Sequence, residues 1–273
     1  MRAARRKCAA SKLVRAVLPA LILAFSLAPE ALGGGARVFE IPSVALRETR
    51  VVKAFLPNGY EDSGERLPVL YKLDGEWDSP AFSLALERLA REGRIPRMIL
   101  VAVENTDRHR DMTPTRVAGH SRTGEADNFL DFFRRELIPF IDARLRTTSE
   151  RFLFGHSLAG LFTVYAFLSA PDLFDGYIAT SPSLPHDLKK LVFLAVDSFE
   201  REGFAGRTLY LATGTEDLDG YLDAARAFAG YLDANAPEGL RWRFDALEGE
   251  DHRTTPYAAL DTALIFLRAK TIE

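Results

Sequence analysis

Short apolar runs alternate with amphipathic stretches along most of the chain, and this alternation determines the expected fold. Residues 38–46 and 50–56 are β-rich runs separated by turn residues, so they predict an antiparallel hairpin. Later apolar runs predict strands at 68–75, 97–103, 177–180, 208–212 and 242–247 and in the segment that begins at Arg151. Helical periodicity predicts helices at 82–89, 129–141, 161–168, 188–199, 221–232 and 257–267. Strands that alternate with helices indicate an α/β fold, with a mostly parallel central sheet and helices on both faces.

Two stretches depart from this regular alternation. The apolar residues of 129–141 repeat at helical spacing behind Asp127, which is the expected helix cap, and Pro139 is expected to kink or divide that helix. Residues 105–124 are polar, lack periodicity and carry several arginines. This stretch therefore predicts a long surface loop near the mouth of a site.

The first 33 residues have a pattern of their own. Basic residues precede an apolar run at 16–28, and residues 31–33 then offer a signal peptidase cleavage site. The run contains Pro19 and is short for the roughly 20 residues of a membrane span, so cleavage is expected rather than an uncleaved anchor. We therefore expect a signal peptide at 1–33, a single domain at 34–273 and a periplasmic or secreted protein without stable membrane insertion after signal removal.

Charge and cysteine content exclude several functions. Of the 35 basic and 38 acidic residues, six basic and one acidic lie in the first 33 positions, which leaves a formal charge of −8 on the remainder. That charge does not favour a nucleic-acid partner. The one cysteine, Cys8, lies in the same segment, so neither disulfides nor thiol chemistry is expected in the mature chain.

The segment 151–160 carries the first candidate for chemistry. An apolar run ends there in small residues that flank Ser157, and an apolar helical run follows. This pattern is typical of a nucleophile elbow, a tight strand-to-helix turn that presents a serine hydroxyl. Small neighbours are needed because a Cβ would strike the adjacent strand or helix. The segment therefore predicts a serine hydrolase, with its substrate left open.

Acyl transfer by a serine needs a histidine that accepts the hydroxyl proton and an acid that orients the histidine. Asp217 and His252 each follow a predicted strand, so both are expected at the carboxyl edge of the sheet together with Ser157. Their order in the chain is the nucleophile, acid, base order of α/β-hydrolases. The adjacent Glu216 is the alternative acid, and Asp217 is preferred.

The attacked carbonyl oxygen develops negative charge, which N–H groups must stabilise. One donor is expected to be the backbone amide of Leu158, at the start of the helix after the nucleophile. The second is expected from the turn of Gly75 and Glu76 after an early strand. An Asp-Gly pair is also common in ordinary turns, which is the competing interpretation of this stretch.

The other histidines are not expected to take part. His156 adjoins the serine and should point the opposite way along its strand, whereas His109, His120 and His186 lie in predicted loops. No histidine has the spacing of a metal ligand, so neither a metal nor another cofactor is expected. The expected partner is a small-molecule ester, and the sequence indicates no oligomeric state.

Several stretches, taken in order, resemble the putative esterase family, the α/β-hydrolases that include esterase D-like proteins and enterochelin esterases. They are YKLDG at 71–75, NTDR at 105–108, DMTPT at 111–115, FL through ELIPFI at 129–141, GHSLAG at 155–160 and GEDH at 249–252. The resemblance covers most of the chain after the signal segment. It implies an α/β-hydrolase fold and a carboxylic ester hydrolase with Ser157 as nucleophile and His252 as base. It also implies small ester substrates, which include siderophore esters.

This chain departs from the family pattern at two places. Ala159 stands where the family's usual residue is glycine, so the nucleophile helix is expected slightly further from its strand. Pro185 and His186 stand where many relatives carry aromatic residues, so the substrate pocket need not match that of a siderophore esterase. Some relatives use a serine–histidine pair, which leaves the acid open. Two alternatives remain: an acyltransferase on the same fold, and a non-catalytic ligand-binding protein.

Overall fold

The computed structural model describes residues 36–116, 122–201 and 203–268. The predicted signal peptide, Cys8 and His120 lie outside this part of the chain. The strands are β1 Arg37–Ser43, β2 Glu48–Phe55, β3 Leu67–Lys72, β4 Ile99–Val103, β5 Thr147–His156, β6 Gly176–Thr180, β7 Thr208–Gly214 and β8 Arg241–Leu247. The α-helices are α1 Tyr60–Ser63, α2 Ser79–Arg91, α3 Arg108–Met112, α4 Ala126–Phe132, α5 Ile138–Asp142, α6 Leu158–Ser169, α7 Leu188–Phe199, α8 Tyr221–Asn235 and α9 Thr255–Arg268.

The strands form one sheet in the order β1-β2-β4-β3-β5-β6-β7-β8. β1 pairs antiparallel with β2, and β2 pairs antiparallel with β4, whereas all the other neighbouring strands are parallel. Every residue of β3, β4, β6 and β7 is buried, as expected of parallel strands that helices cover on both faces. The predicted mostly parallel α/β sheet with an antiparallel N-terminal hairpin is therefore confirmed.

Alternate residues of β5 face two hydrophobic cores, one on each side of the sheet. Leu153 lies in the core that includes residues of α4 and α6, whereas Phe152 and Phe154 lie in the core that includes residues of α2 and α9. All residues of α6 except the last are buried. Packing on every side therefore fixes the helix that follows Ser157, and with it the turn at the end of β5.

The stretch 105–124 is not a loop throughout, because Arg108–Met112 forms the short helix α3. The carboxylate of Asp107 caps this helix by accepting a hydrogen bond from the backbone N–H of Arg110. Asp111 is fully buried and pairs with Arg50 of β2. A local cap and one buried ion pair thus order a segment that has too few apolar residues to show helical periodicity.

The expected cap of the 129–141 stretch is corrected, whereas the expected interruption near Pro139 takes the form of a π-helical turn. Helix α4 begins at Ala126, and the carboxylate of Asp127 accepts a hydrogen bond from the hydroxyl of Tyr165 instead of capping the helix. A π-helical turn, Phe133–Leu137, precedes Pro139, and helical backbone angles continue through Ile138. The wider turn accommodates the proline ring, which would clash with the preceding turn of a regular α-helix, so the π-helical turn divides the stretch into α4 and α5.

Three loops at one edge of the sheet carry the candidate residues. Ser157 follows β5, Asp217 follows β7 and His252 follows β8, and these strands are parallel members of the same sheet. Their carboxyl ends therefore meet at one edge. Among the described residues, no helix has the length and apolar character that would let it cross a membrane.

Candidate active site

Ser157 occupies a strained turn between β5 and α6. Its φ of 59° and ψ of −119° lie in a region that residues with a side chain rarely adopt. A Cβ on Gly155 would lie 2.2 Å from the carbonyl oxygen of Ala159, and one on Gly160 would lie 3.0 Å from the Cα of Pro182. Glycine at both positions therefore makes this close packing possible, and the packing holds the serine in its strained conformation.

The side chains of Ser157, His252 and Asp217 form one line of hydrogen bonds. Ser157 Oγ lies 2.9 Å from His252 Nε2, and His252 Nδ1 lies 2.7 Å from Asp217 Oδ1. With the imidazole proton on Nδ1, the ring donates to the carboxylate and its Nε2 accepts the serine proton. The three loops thus bring together a hydroxyl, a base and a carboxylate in the order that nucleophilic catalysis requires.

The two candidate acids have different environments. Asp217 contacts His252, whereas the side chain of Glu216 is exposed and its backbone N–H donates to the carbonyl oxygen of Glu250. Desolvation raises the pKa of Asp217, but hydrogen bonds from His252, Ser181 and the Leu218 amide together outweigh it, so the net pKa is lowered. Asp217 is therefore ionised at neutral pH and sits where an acid would orient the histidine.

The loop after β6 contacts both ends of this line. The hydroxyl of Ser181 donates to Asp217 Oδ2, and the backbone N–H of Ser183 donates to the carbonyl oxygen of Ser157 at 3.0 Å. Ser183 Oγ lies 3.4 Å from Ser157 Oγ and 2.9 Å from the hydroxyl of Tyr221. Our sequence reasoning missed these residues, although two serines directly after a predicted strand of the same edge were a usable signal.

His156 was expected to point away from the site, and that expectation was wrong. Its ring centroid lies 4.7 Å from that of His252, and its Nδ1 lies 3.1 Å from the carbonyl oxygen of Thr180. Burial, together with the neighbouring His252, lowers the pKa of His156 to about 4. An uncharged second imidazole therefore packs against the candidate base at neutral pH.

The predicted oxyanion donors have different hydrogen-bonding states. The backbone N–H of Gly75 donates to the carbonyl oxygen of Val103 at 2.8 Å, so its predicted role as a donor to substrate is wrong. A Cβ on Gly75 would lie 2.6 Å from the backbone of Ala102 and Val103, so glycine is required for packing. Within the described residues, the amides of Glu76 and Leu158 have no acceptor and remain available.

A bidentate ion pair links the turn after β3 to α3. Arg108 donates through Nε and Nη2 to the carboxylate of Asp74 at 2.7 and 2.8 Å, and its Nη2 lies 3.4 Å from the carbonyl oxygen of His156. Its guanidinium also lies over the ring of Trp77, 5.3 Å from the centroid. Arg108 therefore ties the Asp74 turn to the end of β5, directly beside Ser157.

The described part of the chain holds no group of three or more histidine, cysteine, aspartate or glutamate side chains that could bind a metal ion. His109 belongs to α3, and His186 lies in the 3₁₀ turn Leu184–His186, so neither joins the Ser157 line.

Comparisons with known proteins agree with this geometry. The profile of the Putative esterase family matches residues 43–251. The chain is 29% identical over 280 residues to the Ferri-bacillibactin esterase BesA of Bacillus subtilis (strain 168), which covers 86% of this chain and 92% of that protein.

This chain also resembles solved structures of hydrolases. An IroE-like serine hydrolase from Shewanella oneidensis superposes with a TM-score of 0.79 at 31% identity, over 84% of this chain and 79% of that one. The siderophore hydrolase EstB from Aspergillus nidulans superposes with a TM-score of 0.75 at 21% identity, over 88% and 96% of the two chains, and so bears on the fold alone.

Proposed function

Because this chain belongs to the Putative esterase family of α/β-hydrolases and is a carboxylic ester hydrolase, we propose that it is an exported serine esterase with an acyl-enzyme on Ser157. One observation carries the serine mechanism, namely the continuous line from Ser157 Oγ through the imidazole of His252 to the carboxylate of Asp217. Export rests on the basic and apolar pattern of residues 1–33.

In the first half-reaction, Ser157 Oγ attacks the ester carbonyl carbon while His252 Nε2 takes the hydroxyl proton. The carbonyl oxygen becomes an oxyanion, which the free amides of Leu158 and Glu76 stabilise. The carbon–oxygen bond to the leaving alcohol then breaks, and the imidazolium returns its proton to that oxygen. An acyl-enzyme and the free alcohol result.

In the second half-reaction, water replaces the alcohol. His252 Nε2 removes a proton from the water as its oxygen attacks the acyl carbon, and the proton then passes to Ser157 Oγ as the carboxylic acid leaves. Asp217 stabilises the imidazolium in both steps, because its ionised carboxylate faces Nδ1 at 2.7 Å. The partly buried ring of His156 packs against one side of the His252 ring.

We propose a siderophore-like ester, or another small ester, as the substrate. The relative from Bacillus subtilis is named a Ferri-bacillibactin esterase, which supports that class. The 3₁₀ turn Leu184–His186 lies close to the reactive serine, because Ser183 directly precedes it. We therefore propose that this turn, with Pro185 and His186, contacts the substrate.

Ser157→Ala is the primary test. We expect the purified chain to hydrolyse p-nitrophenyl butyrate and to gain one fluorophosphonate adduct by intact mass, and the variant to lose the adduct and roughly 10⁴-fold or more of kcat/KM. Ser149→Ala, at the exposed start of the same strand, is the matched control and should keep both.

Absence of hydrolysis, or labelling that persists in Ser157→Ala, would contradict the serine mechanism. Chromatography of ferri-bacillibactin and enterobactin digests tests the substrate class separately. If the wild type cleaves the p-nitrophenyl ester but neither siderophore, then the siderophore assignment fails and the serine mechanism stands.

A further inference from the structure

A buried lysine lies directly beneath the turn that follows β3. Lys72 is only 4% exposed, and its Nζ contacts the carbonyl oxygens of Leu73 at 3.3 Å, Asp74 at 3.0 Å and Trp77 at 2.7 Å. The ammonium also lies 5.0 Å from the ring centroid of Phe82. All three of its donor hydrogens thus have carbonyl partners in a single turn of five residues.

A charge at this position needs a reason, because burial of an ammonium is costly. The other five residues of β3 are apolar or aromatic, so an aliphatic side chain would suit the strand equally well. Desolvation lowers the pKa of Lys72 to about 8, against the carboxylates of Asp74, Asp78 and Glu76. The side chain is therefore still charged at neutral pH and binds the three carbonyl groups as an ammonium.

The remaining polar backbone groups of this turn are almost all engaged. The Gly75 amide donates to Val103, the Trp77 amide donates to the carbonyl oxygen of Asp74, and Ser79 Oγ donates to the carbonyl oxygen of Gly75 at 2.8 Å. In a trans peptide the C=O and N–H point in opposite directions, so the bond from Ser79 turns the Glu76 N–H away from the helix side.

The conformation of the turn is strained and needs support. Asp74 and Asp78 both have positive φ angles, 53° and 54°, although neither is glycine. Each such residue costs free energy that surrounding contacts must offset. Lys72 binds the carbonyl groups on both sides of Glu76, and its strand neighbour is Phe154, three residues before the serine. It is therefore placed to hold the free amide relative to Ser157.

We propose that Lys72 is a positioning residue for oxyanion stabilisation. Its ammonium binds three carbonyl oxygens of the 73–77 turn and so acts as a clamp. This clamp fixes the Glu76 N–H where the carbonyl oxygen of the substrate develops charge. This inference rests on the proposed serine esterase mechanism and extends it to a residue that touches neither substrate nor reacting atoms. Removing the ammonium should loosen the donor and should leave the serine, the histidine and the substrate pocket in place.

The test variant is Lys72→Met, which keeps the length of the aliphatic chain and removes the three donors. With p-nitrophenyl butyrate we expect kcat to fall about 10- to 100-fold, with KM within about 3-fold, since a displaced donor loses part of the effect of a deleted one. Affinity for an alkyl trifluoromethyl ketone, whose serine adduct carries an oxyanion, should fall by a similar factor.

Two controls separate positioning from general destabilisation. Lys53→Met removes a lysine of β2 that pairs with Glu104, and Leu232→Ala removes core contacts near the C-terminal end of α8. Both should keep kcat and ketone affinity within about 3-fold, even where thermal unfolding shows a comparable loss of stability.

A folded Lys72→Met protein with unchanged kcat and ketone affinity would overturn the inference while leaving the serine mechanism intact. If that variant does not fold, Lys72→Gln, which keeps a donor on a shorter chain, replaces it. Smaller losses in both readouts would then support the clamp, and unchanged values would reject it. An inactive wild type that fluorophosphonate does not label would instead reject the serine mechanism itself.

Discussion

Two networks of charged side chains in this molecule differ in the polar groups that they leave unbound. The arginine cluster, formed by Glu48, Arg50, Arg110 and Asp111, binds all four of its carboxylate oxygens to arginine. The Ser157 line also begins at an ionised carboxylate, but it ends at a hydroxyl beside two unbound amides. Saturated carboxylates stabilise a fold, whereas the open end of a network can react.

The arginine cluster has an evident structural task. Arg50 is fully buried on β2, faces the rings of Phe129 and Phe132, and donates to Asp111 of α3. It therefore joins the hairpin, α4 and α3, and α3 carries Arg108 onto Asp74. The cluster thus holds in place the helix that carries Arg108.

The largest expected difference between the networks comes from Asp217→Asn. We expect kcat to fall about 100- to 10,000-fold with little change in unfolding temperature, because an amide no longer holds the imidazole in the required tautomer. Steady-state kinetics and a thermal melt check this. Glu216→Gln is the matched control at the adjacent exposed position, and equal losses in both variants would show that Asp217 is not the acid.

Asp111→Asn should lower stability and leave kcat almost unchanged, in contrast to Asp217→Asn. It removes the fully buried carboxylate that pairs with Arg50 and, among the described residues, leaves its guanidinium with only the partly exposed Glu48, so the free energy of unfolding should fall by about 3–5 kcal/mol, with kcat of the folded fraction within about 5-fold. Urea denaturation measures the free energy of unfolding. Steady-state kinetics, normalised to the concentration of titrated active sites, measure kcat. Asp172→Asn breaks an exposed pair with Arg134 and should cost less than about 1 kcal/mol.

The smallest expected effect is the contribution of Glu48 to stability, which depends on pH in the acid range. Desolvation raises the pKa of Glu48, but hydrogen bonds from Arg110, Thr106 and Arg50 together outweigh it and lower the pKa from 4.5 to about 2. A lowered carboxylate pKa stabilises the fold above about pH 4.5, and this stabilisation is lost as pH falls towards 2.

Glu48→Gln should therefore lower the free energy of unfolding by about 1–2 kcal/mol at pH 7, since partial exposure screens the interaction. The difference from wild type should shrink between pH 4.5 and 2, as urea denaturation at several pH values would measure. A difference independent of pH would mean that the carboxylate charge is not what stabilises the cluster.

The two networks also differ in how far the sequence predicted them. Ser157, Asp217 and His252 each follow an apolar strand, so the rules of parallel sheets bring them to one edge without any structural information. The arginine cluster joins residues of β2 to residues about sixty positions later, and a polar segment without periodicity gives no sign of that pairing. The tertiary pair between Arg50 and Asp111, together with the local cap by Asp107, orders α3.

The missed parts of the site have a related cause. Which backbone amide is free depends on the strand that packs beside the turn. The sequence therefore could not distinguish Gly75, whose N–H donates to Val103, from Glu76, whose N–H is free within the described residues. His156 was misassigned because strand alternation was extended to the last residue of β5, where the chain already turns and the ring reaches Thr180. The alternation of side chains along a strand no longer holds where the strand ends, and the candidate site lies at the ends of strands.

The order of the strands has a consequence for how activity appears during folding. The serine follows β5 in the middle of the sheet, but the histidine follows β8, the outermost strand at its far side. A chain that has assembled everything up to β7 holds Ser157 and Asp217 but has not yet placed His252. On the proposed mechanism, ester hydrolysis therefore begins only after the last strand has docked, so activity measures completion of the sheet.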